Sequence, residues 1–485
     1  MLTTLVMIYL AVTVGIGLYA AQRVRNSRDY LVAGRSLPLY MNMATVFATW
    51  FGAETVLGVS STFLRDGLGG IVADPFGAAF CLIIVALFFA RPFYRMELLT
   101  IGDFYRKRYN RTVEIGTGVA ITLSYLGWTS AQMVALGIVF NTLSAGSIPL
   151  TQGIIMGAGI VLVYTLFGGM WSVAFTDLFQ TTIIIVGLLY IAMLLADMAG
   201  GFGAVWEVAT AEGKLDFWPK ANLKDWIAFL AAWGTMAIGS IAQQDVFQRV
   251  TSAKNEDIAV RGTLIGGTFY LFFAFVPMFI AVSALLIEPD KVHAILADDS
   301  LDFQLILPQL ILNQTPMFAQ VMFFGALLSA ILSTASGALL APTAVFTENV
   351  LRPLLGGRID DRQMLLMLRM VLVIFALAVM LFALHSESSM FQMVQNAYKV
   401  TLVAAFTPLA FGLFWRRSTP QGAMMSIVFG LVAWGIAEFT APEALVPPQF
   451  IGLGASIFGM VFGSLAPAVA GGTGHPDAVG ERNVR

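Results

Sequence analysis

Long apolar runs separated by short polar segments dominate the 485-residue chain. The hydrocarbon core of a bilayer is ~30 Å thick and is crossed by about 20 helical residues. Runs of this kind predict thirteen membrane spans, at residues 3–22, 40–64, 74–93, 113–140, 151–167, 174–198, 224–247, 262–287, 317–346, 366–385, 390–415, 420–440 and 449–469. Because lipid offers no hydrogen bonds to the backbone, the pattern predicts an all-α integral membrane protein.

The basic residues predict an orientation for these spans. Of the 27 lysines and arginines, 21 fall on one side of the predicted membrane, five fall on the other, and Lys399 lies within a span. Cytoplasmic loops are enriched in lysine and arginine, so we expect a plasma (cell inner) membrane protein with its N-terminus outside and its C-terminus in the cytoplasm. An even number of spans would destroy this asymmetry.

Composition narrows the class of protein further. The chain is 58% hydrophobic and 12% charged, which is about half the charged fraction of a soluble domain. Its net charge of −2 gives no indication of a nucleic-acid partner, and one cysteine excludes an intramolecular disulfide framework. We find no metalloprotease, nucleotide-binding or nucleophile-elbow motif, so an enzyme is not expected. The polar tail at 470–485 is expected to be disordered.

The second span places polar residues in the middle of an apolar helix. In "ATWFGAETVLG", Gly52 and Gly58 flank Glu54 and Thr55. A helix weakened by glycine can unwind and turn its carbonyl groups inward as cation ligands. Alternatively, the small residues allow close packing between helices. The segment alone favours neither interpretation.

The ninth span carries four hydroxyl groups within eight residues, on Ser329, Ser333, Thr334 and Ser336. A hard cation such as Na⁺ takes several oxygen ligands, which hydroxyls and carbonyls supply without a further buried charge. Single serines in membrane helices commonly bond to their own backbone, and packing is the alternative explanation.

Other polar and aromatic residues inside the spans are weaker candidates. Asp177 starts the sixth span and is either a station on a cation path or a charge at a helix start. Gln243 and Asp245 end the seventh span; we expect Gln243 to face a substrate or gate and Asp245 to lie at a solvated helix end. Trp50 and Trp128 fall well inside their spans, where aromatic faces can hold an organic cation or an apolar solute.

Four segments together resemble the sodium:solute symporter family, namely "ATWFGAETVLG", "YTLFGGMWSVAFTDLFQ", "VFQRV" and "GALLSAILSTASGALLAPTAVFTENVL". The resemblance implies a leucine-transporter-type core of two inverted five-helix repeats. It divides the chain into a first helix and loop (1–39), a first repeat (40–198), an outer loop (199–223), a second repeat (224–415), two peripheral spans (416–469) and the tail (470–485).

The resemblance also implies a sodium site. Carbonyl ligands correspond to Ala48, Phe51 and Ala330, and hydroxyl ligands correspond to Ser333 and Thr334. Asp177 corresponds to the acidic residue on the inward cation path. The expected function is sodium-coupled import of a small organic solute by alternating access.

The resemblance leaves the identity of the solute open. The closest likeness is to the choline-transporter branch, where Trp50 and Trp128 match two positions of an aromatic cage and Gln243 replaces the third. Thr55 occupies the position of a sugar-binding glutamine, which argues against a sugar. A small amino acid, a short carboxylate or a choline- or betaine-like solute fits these residues. A membrane sensor, an uncoupled facilitator and proton coupling through Glu54 or Asp177 are the alternatives.

Overall fold

The computed structural model describes residues 2–220, 222–297, 301–356 and 360–467, so the predicted tail at 470–485 lies outside the described residues. The first half contains α1 (Leu2–Ala21), α2 (Ser27–Val32), α3 (Leu39–Trp50), α4 (Ser60–Asp66), α5 (Ala78–Ile84), α6 (Ala90–Arg95), α7 (Ile101–Arg108), α8 (Arg111–Leu143), α9 (Leu150–Met198), α10 (Phe202–Ala211), α11 (Leu223–Gly239) and α12 (Gln244–Thr251).

The second half contains α13 (Glu256–Phe273), α14 (Phe275–Ile287), α15 (Pro289–Ala297), α16 (Ile306–Gln314), α17 (Met317–Val345), α18 (Arg352–Leu354), α19 (Asp361–His385), α20 (Met390–Thr401), α21 (Thr407–Phe414), α22 (Pro420–Thr440) and α23 (Pro448–Leu465). Wider π-helical turns join several of these helices, at Glu54–Val59, Val72–Gly77, Val85–Phe89, Phe346–Leu351 and Leu402–Phe406. Short 3-10 turns lie at Ala33–Arg35, Leu68–Ile71, Ser240–Ala242 and Leu301–Leu305.

Polar caps mark where several long helices begin. Asn110 accepts a 3.0 Å hydrogen bond from the Val113 amide at the start of α8. Asn222 and Asn255 cap α11 and α13 in the same way. Because the first amides of a helix have no partner within it, these side chains fix the helix starts near the ends of apolar runs.

Within the described residues, eleven helical segments are long and apolar enough to cross a membrane, which confirms the all-helical membrane fold. The predicted spans at 151–167 and 174–198 both lie in α9, in which two helical stretches meet at a kink at Gly169. Glycine is required there, since its φ is 50° and a Cβ would lie 2.4 Å from the Tyr30 carbonyl oxygen. The stretch before the kink contributes only the shorter apolar helix Leu150–Val163. The two predicted spans correspond to the two helical stretches on either side of Gly169, which a kink separates instead of a loop.

Two helical rods are interrupted in their middle. The predicted span at 40–64 consists of α3, a break at Phe51 and Gly52, and a π-helical turn leading into α4. The predicted span at 224–247 consists of α11 and α12, separated by Gln243 in an extended conformation. The expected solvated end near Asp245 was wrong: every residue of α12 is buried, and the rod continues to Thr251.

Contacts between α3 and α12 hold these two rods together on one side. Leu37 donates its amide to the Ser252 carbonyl at 3.0 Å, and its carbonyl accepts the Lys254 amide at 2.9 Å. The Asn42 side chain donates to the Arg249 carbonyl at 2.7 Å. Backbone and side-chain bonds thus join the start of the first interrupted rod to the end of the second.

The ninth predicted span, α17, forms the centre of the molecule. Its apolar stretch is 94% buried within the protein, whereas that of α19 is 33% buried. A helix surrounded by protein on all sides can carry hydroxyl groups that a lipid-facing helix could not. The predicted outer loop at 199–223 contains the short helix α10, and the segment between α14 and α17 contains the short helices α15 and α16.

Candidate ion and solute site

The break after α3 exposes a backbone carbonyl inside the protein. The Gly52 amide bonds to the Trp50 carbonyl at 3.1 Å instead of continuing the helical pattern to Ala48. The Ala48 carbonyl accepts hydrogen bonds from Ser333 Oγ at 2.7 Å and Thr334 Oγ1 at 3.1 Å. Oxygen atoms from two distant segments therefore meet at the break.

Four of the five residues assigned to sodium lie together by direct contact. Ser333 Oγ also reaches the Ala330 carbonyl at 3.3 Å, so both hydroxyls and two carbonyls form one cluster. Phe51 is fully buried at the break itself. Carbonyl and hydroxyl oxygens are the ligands that a hard monovalent cation accepts, and the donor set fits sodium.

The other two of the four hydroxyls predicted as candidates, those of Ser329 and Ser336, make different contacts. Ser329 Oγ bonds to Tyr9 Oη at 2.5 Å and to the Gly325 carbonyl at 2.7 Å. Ser336 Oγ donates to the Ser333 carbonyl at 2.9 Å. These bonds join the hydroxyls to neighbouring helices or to the backbone of α17.

Three aromatic rings lie beside the oxygen cluster. Trp50 and Trp128 have ring centroids 6.1 Å apart, and both lie close to Tyr398 of α20, at 5.9 Å and 6.0 Å respectively. We call Trp50, Trp128 and Tyr398 the aromatic cluster. Tyr398 was missed in the sequence, where it follows no motif and stands next to Lys399. Only the fold brings α20 against α3 and α8.

Gln243 lies outside the ring contacts of the aromatic cluster. Its amide nitrogen donates to Ser124 Oγ at 3.0 Å and to Thr401 Oγ1 at 3.4 Å. Gln243 is buried at the interruption between α11 and α12. It therefore connects the second interrupted rod to α8 and α20.

Thr55 belongs to a buried polar chain. Its hydroxyl donates to the Trp50 carbonyl at 3.2 Å and lies 3.2 Å from Tyr270 Oη. Tyr270 Oη in turn donates a short hydrogen bond to Asp74. The chain fixes the backbone of Trp50 relative to α13.

Glu54 was considered in the sequence only for its charge, and the structure gives it a specific place. Its Oε1 accepts the Trp128 indole N–H at 3.1 Å, and its Oε2 accepts the Gln132 amide at 2.5 Å. Gln132 Oε1 accepts the Ala53 amide at 3.0 Å. The break after α3 is thus held by side chains of α8.

Asp177 is fully buried in α9. Neither of its carboxylate oxygens has a hydrogen-bond partner among the described residues, and Arg249 is the charged group acting on it. Both terminal guanidinium nitrogens of Arg249 are likewise without a partner in the described part of the chain. Arg249 also lines a small cavity with Trp50 and Asp245. Asp245 itself bonds to Tyr125.

Solved structures with the same fold are transporters. A Na⁺-coupled sialic acid symporter, in a substrate-bound outward-open state, superposes with a TM-score of 0.81 at 18% identity, over 96% of this chain and 98% of its own. Mhp1, a nucleobase-cation-symport-1 family transporter in a closed conformation with bromovinylhydantoin bound, gives a TM-score of 0.56 at 14% identity, over 89% and 94%. The fold is therefore of the leucine-transporter type.

The sequence matches the sodium:solute symporter family over residues 30–430, and the chain belongs to that family. It is accordingly a multi-pass membrane symporter that moves a small solute with Na⁺ as coupling ion. This confirms the family resemblance of the four sequence segments.

Its relatives differ in their solutes. The Drosophila melanogaster high-affinity choline transporter 1 is 23% identical over 79% of this chain and 62% of its own length. The human high affinity choline transporter 1 is 24% identical over 89% and 75%. The Vibrio parahaemolyticus sodium/glucose cotransporter is 25% identical over 87% and 82%. The chain thus spans less than two thirds of the Drosophila protein.

Proposed function

We propose that this symporter imports a small solute with an ammonium group, such as choline or glycine betaine. The observation that carries the proposal is the aromatic cluster of Trp50, Trp128 and Tyr398 beside the oxygen cluster of Ala48, Ser333 and Thr334. Aromatic faces attract ammonium groups through their quadrupoles, most strongly where water is excluded. Tyr398 supplies the third aromatic wall that the replacement by Gln243 removes.

The proposed sodium site uses the carbonyls of Ala48, Phe51 and Ala330 and the hydroxyls of Ser333 and Thr334. The direct contacts between α3 and α17 support this assignment, because a cation there would be held by both helices at once. Asp177 is proposed as the next station inward. Its buried carboxylate, which has no hydrogen-bond partner among the described residues, supports the role, since such a group in a membrane protein interior attracts a passing cation.

In the proposed solute site the aromatic cluster holds the ammonium group, and Thr55 and Gln243 provide polar contacts at its edge. Arg249, whose terminal nitrogens have no hydrogen-bond partner in the described structure, shares a cavity with Trp50 and favours a solute that also carries a carboxylate. Glycine betaine carries a carboxylate and choline does not, so comparing their binding tests whether Arg249 contributes to solute recognition. The choline transporters among the relatives support the ammonium class, although glucose and proline symporters also occur there.

We place the N-terminus outside and the C-terminus in the cytoplasm of the cell inner membrane, on the distribution of basic residues. The proposed repeats are 40–198 and 224–415. Each repeat begins with an interrupted rod, as expected for two copies of one unit. Sodium entering from outside would bind α3 to α17 and complete the neighbouring solute site before the protein opens inward.

One sodium ion is sufficient to drive accumulation. Its movement across 100 mV supplies about 2.3 kcal/mol, and a tenfold concentration gradient adds about 1.4 kcal/mol. A cationic solute would gain a further contribution from the membrane potential, whereas a zwitterion would not.

The test is uptake by purified protein in proteoliposomes, with an inward NaCl gradient or with KCl in its place. The radiolabelled panel contains choline, glycine betaine, proline, acetate and glucose. We expect accumulation of choline or glycine betaine only with sodium. Accumulation of glucose or acetate alone would overturn the ammonium class, and equal uptake in KCl would overturn sodium coupling.

A further inference from the structure

Glu54 is a buried carboxylate whose charge is not balanced within the protein. Glu54 is 2% exposed, and the two side chains that donate hydrogen bonds to its carboxylate, Trp128 and Gln132, are neutral. No lysine or arginine of the described residues forms an ion pair with it. A carboxylate inside a membrane protein is costly unless a cation compensates it. The position therefore favours a bound cation.

The missing side chain of Gly52 lets this carboxylate approach the oxygen cluster. A Cβ on Gly52 would lie 2.5 Å from Glu54 Oε2 and 2.7 Å from Thr334 Oγ1, so both oxygens pack against the same side of this glycine. Two oxygens that flank one point in this way are close enough together for a single cation to contact both. Thr334 Oγ1 is also 3.1 Å from the Ala48 carbonyl oxygen. Glu54 thus faces the same space as the proposed sodium ligands.

The two oxygens of Glu54 face different parts of the site. Oε2 packs against Gly52 and accepts from Gln132, whereas Oε1 accepts the indole N–H of Trp128. Trp128 belongs to the aromatic cluster proposed to hold the solute. A cation that attracts Oε2 would turn the carboxylate and change the hydrogen bond that orients the indole.

We propose that Glu54 is a charged ligand of the coupling sodium ion and that it couples ion binding to solute binding through Trp128. The inference rests on the proposed function for the identity of the solute site. Thermodynamic linkage then requires sodium to tighten solute binding and the solute to tighten sodium binding by the same factor.

The test uses the full chain, purified in detergent. Calorimetric titration with choline or glycine betaine, whichever the uptake panel selects, is repeated from 0 to about 200 mM NaCl with KCl balancing the ionic strength. Sodium binding without solute is followed by the rise in melting temperature with NaCl. The variants are Glu54→Gln, Glu54→Asp and Trp128→Phe. Glu114→Gln is the matched control, because Glu114 is a buried carboxylate that bonds to Asn349 instead.

We expect Glu54→Gln to raise the sodium concentration for half-saturation about tenfold or more, as for loss of a charged contact. Glu54→Asp should retain part of the sodium response, because it keeps the charge. Trp128→Phe should still bind sodium without solute, but sodium should no longer tighten solute binding. Glu114→Gln should match the wild type in both measurements.

Other outcomes separate the two proposals. If the wild type shows no sodium-dependent binding of either solute, the proposed function fails. If the wild type shows sodium-dependent solute binding, and both folded Glu54 variants show the same dependence of solute affinity on sodium, only the role of Glu54 is overturned. Glu54→Gln could instead bind sodium with unchanged affinity but lose the pH dependence of uptake. That result would overturn Glu54 as a sodium ligand and identify it as a proton-binding site.

Discussion

Ser333 and Ala48, 285 positions apart in the chain, are joined by a 2.7 Å hydrogen bond from the serine hydroxyl to the alanine carbonyl oxygen. The carbonyl is available because α3 stops two residues later and the Gly52 amide turns to Trp50. One contact therefore connects the break in the first rod to the centre of α17. Any ion that binds there must interact with both helices.

We expect Ser333→Ala and Thr334→Ala to raise the sodium requirement of uptake before they abolish solute binding. Loss of one neutral ligand is worth about 1–3 kcal/mol, or roughly 5- to 150-fold in sodium concentration. The measurement is uptake against NaCl concentration in proteoliposomes. Thr334→Ser keeps a hydroxyl and should be near wild type. Ser426→Ala removes a buried hydroxyl paired with Ser456 in the peripheral helices and serves as control. Unchanged sodium dependence in both alanine variants would refute the sodium site.

Tyr398 should determine solute affinity through its ring rather than its hydroxyl. Replacement by alanine removes one wall of the aromatic cluster, at an expected cost of about 0.5–2 kcal/mol in binding of an ammonium group. Tyr398→Phe keeps the ring and should bind nearly as well. Calorimetric titration with choline and glycine betaine in saturating NaCl measures both variants. An alanine variant that is folded and binds with wild-type affinity would place the solute elsewhere.

Asp177→Asn is expected to slow sodium release more than sodium binding. The amide keeps the volume but removes the charge of a buried group that lacks a hydrogen-bond partner in the described structure. Net uptake should fall several-fold, whereas exchange of internal for external solute at high sodium on both sides should be largely retained. Asp197→Asn, at an exposed position near the end of the same helix, is the control. An equal loss of exchange and net uptake would contradict a role confined to release.

Labelling can test the orientation directly, because Cys81 is fully buried and should not react. Lys220 and Lys254 are exposed and lie beyond opposite ends of the rod formed by α11 and α12. In intact cells a membrane-impermeant maleimide should label Lys220→Cys at once. It should label Lys254→Cys only after permeabilisation. The reverse pattern would place the N-terminus inside.

The sequence predicted the membrane helices well because apolar length is a local property. It also brought Ala48, Ala330, Ser333 and Thr334 to one point, although only through the family resemblance. The hydroxyl pattern of α17 by itself was equally consistent with close packing. Contact with an exposed carbonyl on another helix distinguishes a ligand set from a packing face, and spacing within one helix cannot supply that contact.

Other parts of the site depend on contacts between distant segments. Tyr398 joins Trp50 and Trp128 only because α20 packs against α3 and α8. Glu54 gains its role from the Gln132 and Trp128 side chains of α8. The continuation of the second rod through α12 was missed because its polar residues, including Asp245, resemble those of a solvated helix end. Their burial depends on the helices that surround them.

The paired bonds of Leu37 with Ser252 and Lys254 have a mechanical consequence. Together with the bond from Asn42 to Arg249, they join α3 and α12 so that the two helices move as one rigid unit. Its pivots are the non-helical residues at the two breaks, namely Phe51 and Gly52 in the first and Gln243 in the second, where backbone torsions can change without loss of helical bonds. We therefore expect a displacement that starts at either pivot to be transmitted to the other, so that the proposed ion and solute sites open and close together.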